Sequence, residues 1–124
     1  KGANKNHGVC SLDYYSKAID YISKRIESPT YFIFSDDLVW VEENLKIEGK
    51  REYVYGNFGE MSYVDMQLMS NCNHNIIANS SFSWWGAWLN RYEKKIVVAP
   101  KQWFADPKKN TYHKELIPSS WIRI

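Results

Sequence analysis

The chain has 124 residues, enough for one domain with a real core. Sixteen basic and fourteen acidic residues leave a scattered formal charge of +2, which argues against a nucleic-acid surface; Lys94-Lys95 and Lys108-Lys109 read as solvated pairs. No apolar run is long enough to span a membrane, and no signal peptide is visible.

The start, Lys1 to Asn6, is polar and lacks methionine, so residues 1–8 are expected to be flexible and the chain a piece of a longer protein. From Ser11 to Ile26 the apolar positions Leu12, Tyr15, Ala18, Ile19, Ile22 and Ile26 recur three or four apart, with Ser11 placed as an N-cap: an amphipathic helix. Pro29 ends it. Tyr31-Phe32-Ile33-Phe34 then reads as a buried strand closed by the turn residues Ser35-Asp36-Asp37. Asp37 to Leu45 fits a short helix, Gly49-Lys50 a turn, Tyr53-Val54-Tyr55 a short strand and Gly56-Asn57-Phe58-Gly59 a loop. Met61 to Asn71 has helical spacing at Met61, Val64, Leu68 and Met69. Ile76-Ile77-Ala78 is the next strand, Phe82 to Arg91 the next helix, and Ile96 to Ala99 a strand closed by Pro100. The tail from Lys101 is loop-rich and ends in a candidate docking segment, Ser120 to Ile124. Strands alternating with helices predict an α/β fold, a parallel sheet covered on both faces, with ligands held outside the carboxyl ends of the strands. The polar loops Ser35-Asp36-Asp37 and Asn79-Ser80-Ser81 are expected to meet on that rim.

The most informative stretch is Asn79-Ser80-Ser81-Phe82-Ser83-Trp84-Trp85-Gly86-Ala87-Trp88, where a strand delivers hydroxyls to a helix N-terminus. Unbonded backbone N–H groups, the positive end of the helix dipole and hydroxyl donors converge there, which suits a phosphate. Ser80 and Ser81 can donate to phosphate oxygens, and Phe82 and Ser83 can each add a backbone amide. The simpler reading is that one of the serines only caps the helix and that Ser83 lies on its surface. No Gly-rich dinucleotide fingerprint and no P-loop are present. Asp65 sits at the start of the preceding helix, where a carboxylate also favours the dipole. Asp36 and Asp37 are adjacent, so their side chains diverge; one is expected to face the cleft and the other to cap the next helix. Trp84 and Trp88, four apart on one helix face, are expected in the core, and Gly86 marks a close approach to a neighbour. Cys10 and Cys72 stand in no metal-ligand spacing, nor do His7, His74 and His113; Cys72 is expected to be a reduced core residue.

The block Tyr63 to Asn90 closely resembles the carboxy-terminal block of the alpha-1,2-fucosyltransferases, glycosyltransferase family 11. So do Phe34-Ser35-Asp36-Asp37 with Trp40, Cys10-Ser11-Leu12-Asp13-Tyr14-Tyr15 and Val97 to Phe104, in family order from about His7 onward. The resemblance implies a Rossmann-like parallel sheet with flanking helices, the C-terminal half of a two-domain GT-B-type glycosyltransferase, here as one nucleotide-sugar-binding domain over residues 1–124. It implies GDP-fucose as donor substrate, a galactoside glycan as acceptor, inverting transfer and no cofactor or metal. Ser80 and Ser81 align with diphosphate-binding serines of the family and Asp65 with the aspartate that contacts the guanosine; Asp36 or Asp37 has a supporting role. A carboxylate can accept from both N1–H and the exocyclic amine of guanine, which favours GDP over UDP. No residue is singled out as the catalytic base.

The family's amino-terminal half, with an arginine motif for the diphosphate, has no counterpart in this sequence, so the fragment is expected to bind GDP weakly and to transfer nothing. Its parent is expected to be a bacterial cytoplasmic enzyme, with peripheral membrane association open. The rival readings are a non-catalytic carbohydrate-binding module that stacks sugars on exposed tryptophans, and an inert truncated domain.

Overall fold

A computed structural model describes residues 10–55, 61–112 and 114–124. The expected flexible start, the loop at 56–59, His7 and His113 lie outside the described residues.

The chain begins with α1 (Leu12–Ser23), which Ser11 caps by accepting a hydrogen bond from the Tyr14 amide at 3.1 Å. Tyr14, Ala18 and Ile22, four residues apart, form its buried stripe. The helix ends at Lys24, and Ser28 (φ 52°) with Pro29 turns the chain. Next come β1 (Thr30–Ile33), α2 (Leu38–Asn44) and β2 (Lys50–Tyr53), with β1 and β2 paired in parallel. Then follow α3 (Ser62–Ser70), β3 (Asn75–Ile76), α4 (Ser81–Trp88), β4 (Val97–Ala99), α5 (Pro107–Tyr112), a 3₁₀ turn (Lys114–Leu116) and β5 (Ile122–Arg123). β3, β4 and β5 form a second parallel sheet in that order.

The second sheet is the core. On β4 the side chains alternate between two apolar layers. Val97 and Ala99 join Ile77, Ala87, Trp103, Ile117 and Trp121 on one face, while Val98 joins Tyr14, Ala18 and Ile22 of α1 on the other. All three β4 residues are 1 % exposed or less, as a central parallel strand requires. The expected strand at Ile76 to Ala78 is shorter, although Ile77 still donates to the Val98 carbonyl at 2.9 Å. The candidate docking segment is β5 and its approach: it extends this sheet, and Trp121 is buried beneath it.

The single sheet covered on both faces is corrected to two sheets, one of them thinly covered. β1 alternates between exposed and half-buried residues, and Phe32 is 51 % exposed. Its sheet has only β2 beside it, and α2 buries only Leu38, so neither face is sealed. β2 lies at Lys50–Tyr53 rather than 53–55, because Gly49 (φ +100°) turns the chain and pairing with β1 sets the register over a polar stretch.

α1 joins the sheets. Near its start the Tyr14 hydroxyl donates to the Ile77 carbonyl (2.6 Å) and lies 3.1 Å from that of Val98; further along, the Ile19 carbonyl accepts from Tyr31 of β1 at 3.4 Å. The helix thus starts over the carboxyl end of β3 and passes toward the amino end of β1. α1 thereby contacts both sheets.

Candidate functional site

The loop leaving β3 carries the serines. Ser80 has extended backbone (φ −136°, ψ 144°) and caps α4, its Oγ accepting from the Ser83 amide at 3.2 Å. Its carbonyl accepts from the Trp84 amide at 3.0 Å. The Ser83 hydroxyl is buried, 2.8 Å from Ser80 Oγ and 3.1 Å from the Ala78 carbonyl, so Ser83 is neither a surface residue nor open to a ligand through its side chain. What remains outward-facing is the first turn: the amides of Ser81 and Phe82, which precede the bonded ones, and the exposed Ser81 hydroxyl, which has no hydrogen-bond partner among the described residues. Phe82 is 36 % exposed.

Asn79 anchors this loop: its side-chain amide donates to the Trp103 carbonyl at 3.0 Å, and its oxygen accepts from Cys10 Sγ at 3.5 Å. Cys10 thereby links the loop to the start of α1. Burial raises the Cys10 thiol pKa and those of the Tyr14 and Tyr15 hydroxyls, keeping all three protonated near neutrality.

Asp65 lies half-buried in the first turn of α3. A β-carbon at Gly86 would stand 3.1 Å from Met69 Cβ, so α3 and α4 touch there, as the glycine signalled. At their carboxyl ends the helices are tied by Asn75, whose side chain donates to the Met69 carbonyl (2.8 Å) and accepts from Asn90 (2.8 Å). The helices therefore run in the same direction. Asp65 lies one turn before Met69 on α3, as Phe82 lies one turn before Gly86 on α4. Asp36 and Asp37 follow β1 in the other sheet. Asp37 caps α2, accepting from the Trp40 amide at 3.2 Å, and Asp36 is exposed.

A depression of about 450 Å³ opens at the carboxyl end of the three-stranded sheet, lined by Cys10, Ser11, Tyr14, Pro100, Lys101, Gln102, Ala105 and Ile124. Sequence reasoning missed it. The usable signal was Ser11 beginning a helix and Pro100-Lys101 closing a strand, both at the ligand-binding end of a parallel sheet. Lys101 brings a cation to this wall.

The tryptophans divide. Trp84 packs on the core and donates its indole N–H to the Leu116 carbonyl at 2.9 Å. Trp88 stacks on it (centroids 5.3 Å apart, planes 7° from parallel) yet is 52 % exposed, so its expected place in the core is corrected: it covers the core from outside. Trp40 and Trp85 are also largely exposed. Cys72 is half-buried, and burial raises its thiol pKa.

Two parallel sheets with helices between their strands, and a helix whose first turn presents an exposed hydroxyl, define an α/β domain. Residues 2–124 match glycosyl transferase family 11, and the chain belongs to that family. It is 46 % identical over 122 residues to the O-antigen biosynthesis glycosyltransferase WbnK of Escherichia coli, covering 98 % of this chain and 39 % of the relative. An alpha-1,2-colitosyltransferase of the same species is 42 % identical over 123 residues, covering 98 % of this chain and 42 % of the relative. The galactoside 2-alpha-L-fucosyltransferase SEC1 of Bos taurus is 32 % identical over 78 residues, covering 61 % and 21 %. The chain thus spans about two-fifths of the length of its two bacterial relatives. No solved structure matches it. Among the described residues, no helix is long and apolar enough to cross a membrane.

Proposed function

We propose that this chain is the donor-binding part of an inverting, metal-independent alpha-1,2-fucosyltransferase that moves fucose from GDP-fucose to a galactoside. The observation that carries the reading is the first turn of α4, with its exposed Ser81 hydroxyl, on a helix that packs against α3 where Gly86 meets Met69. The diphosphate would lie on the amides of Ser81 and Phe82 and on the Ser81 hydroxyl, with the helix dipole offsetting its charge. The Asp65 carboxylate would accept from guanine N1–H and the exocyclic amine. Ser80 and Ser83 then shape the turn, Ser80 as cap and Ser83 through its backbone, and Asp36 and Asp37 support the neighbouring loop. The 124 residues alone would bind GDP weakly and transfer no sugar, in keeping with their covering 39 % of the bacterial glycosyltransferase. A cytoplasmic setting belongs to the proposal and rests on the two unpaired cysteines.

Amide shifts during titration with GDP, with UDP as control, test this reading. GDP is expected to move Ser81, Phe82 and Asp65, while UDP moves the α4 amides alone. Ser81→Ala should weaken GDP binding about tenfold, the loss of one hydrogen bond to a charged group, with little effect on melting. Equal affinity of variant and parent would remove Ser81 from the site. The colitosyl relative favours a second donor of the same class, colitose, which is fucose without its 3-hydroxyl. In the full-length enzyme, competition between the two GDP-sugars separates these donors. The exposed Trp40, Trp85 and Trp88 support the rival reading of a nucleotide-free sugar module; it requires quenching of their fluorescence by galactosides without GDP.

A further inference from the structure

We propose that Asn79 is the positioning residue of the turn between β3 and α4: its side-chain amide, held between the Trp103 carbonyl and the Cys10 thiol, fixes where the Ser81 and Phe82 amides stand. This role rests on the nucleotide reading, which seats the diphosphate on that turn.

The chain loses its strand support just before the turn. The Ile77 amide donates to the Val98 carbonyl at 2.9 Å, and the helix cap begins at Ser80. Between them lie Ala78 and Asn79, and of the two only Asn79 has a side chain able to hydrogen-bond. The Ser80 cap and the Ser83 hydroxyl, bonded to the Ala78 carbonyl, organise the turn internally. Those bonds lie within residues 78–83, so they set the shape of the turn. They do not set its place against the neighbouring loops.

Asn79 supplies the outward tie. Its Nδ2 donates to the Trp103 carbonyl at 3.0 Å, and its Oδ1 accepts from Cys10 Sγ at 3.5 Å. Both anchors are firm. Trp103 follows β4 and belongs to the buried cluster of Val97 and Ala99. Cys10 precedes α1, whose Tyr14 hydroxyl donates to the Ile77 carbonyl at 2.6 Å. The start of α1 therefore holds the exit of β3 at two points, Ile77 and Asn79. The pairing also fixes which way the amide faces. A carbonyl only accepts, so Trp103 takes the NH₂ side and leaves the amide oxygen to the thiol. The half-buried thiol stays protonated near neutrality, as that donation requires.

Charge-assisted bonds to an anion form at about 2.7–2.9 Å, so a turn displaced by about 1 Å forfeits most of their strength. Loss of the tie should move the turn and weaken anion binding, while the strand pairing, which ends at Ile77, survives.

The test has two parts, both on the 124-residue chain. The first needs no ligand. The N–H residual dipolar couplings of Ser81 and Phe82 should change in Asn79→Ala, while those of Val97, Val98 and Ala99 stay as in the parent. Unchanged couplings at Ser81 and Phe82 would overturn the proposal, whatever the turn binds. The second is affinity for GDP. Asn79→Ala and Asn79→Asp should bind about tenfold more weakly than the parent, the carboxylate failing because it cannot donate to the Trp103 carbonyl. Cys10→Ala should bind about threefold more weakly, and Cys10→Ser, whose hydroxyl can donate to the same oxygen, should restore the parent's value. Ile22→Val, in the buried stripe of α1, is the stability control: it should lower the melting temperature without changing affinity. Weakening by Ile22→Val as large as that by Asn79→Ala would overturn the proposal, because general loosening would then account for the loss. Couplings that change as expected in a chain with no measurable GDP binding would uphold the positioning and defeat the nucleotide reading instead.

Discussion

Tyr14 does more than fill the core. Its hydroxyl is the donor that the Ile77 carbonyl receives at the point where β3 gives way to the serine loop. Tyr14→Phe leaves that buried carbonyl without a partner, while Val98 keeps its bond from the Ile77 amide. A cost of about 1–3 kcal/mol in urea unfolding is expected, and an unchanged midpoint would show that the carbonyl finds another donor. His74 offers a pH-dependent counterpart. Its Nδ1 accepts from the Ile96 amide at 2.9 Å, a bond only the neutral ring can make, and burial pushes its pKa below the usual 6.5. The unfolded chain therefore binds the proton more readily than the folded one. The stabilisation is complete above about pH 6.5 and declines as pH falls from there toward the lower folded value. His74→Asn, whose side-chain oxygen can take the same amide without titrating, should flatten the melting temperature between pH 7 and 5.5 relative to the parent. An equal slope in both proteins would assign the dependence to other groups. Neither bond was legible in the sequence, since each joins residues more than twenty apart, and spacing patterns report only near neighbours along one element.

The helices were the readable elements. Ser11, Asp37 and Ser80 are short polar residues placed just before apolar periodicity, and all three cap helices. The strands were harder, because β3 and β5 are two residues long and β2 reads Lys50-Arg51-Glu52-Tyr53, with no apolar alternation. Their existence is imposed by parallel pairing, a non-local effect. The candidate site was half legible for the same reason: the hydroxyls at the start of α4 announce themselves, but only tertiary packing shows that Ser83 is buried and that α3 lies alongside. Gly86 is the exception, a local letter that reported a long-range contact. Gly86→Ala tests it. Helix propensity alone favours alanine by about 1 kcal/mol. The new methyl would meet Met69 Cβ at 3.1 Å, an atom fixed to the backbone of α3, so the helices must separate; overpacking of this kind costs about 1–3 kcal/mol. Net destabilisation is expected, and a more stable variant would mean that α3 is held loosely.

At the scale of the molecule the two sheets differ in what holds them. Val97, Val98 and Ala99 are sealed between two apolar layers, with α1 on one face and Trp103, Ile117 and Trp121 on the other. Thr30–Ile33 and Lys50–Tyr53 have few buried side chains, and their hydrogen bonds lie close to solvent. Regions with little apolar burial open below the global unfolding free energy. Native-state hydrogen exchange across a denaturant series should therefore show two classes. The β4 amides should exchange only by global opening, with a steep dependence on denaturant. The amides that pair β1 with β2 should exchange through a smaller opening with a shallower slope. Convergence of the two sets on one slope at all denaturant concentrations would show that α1 couples the sheets into a single cooperative unit.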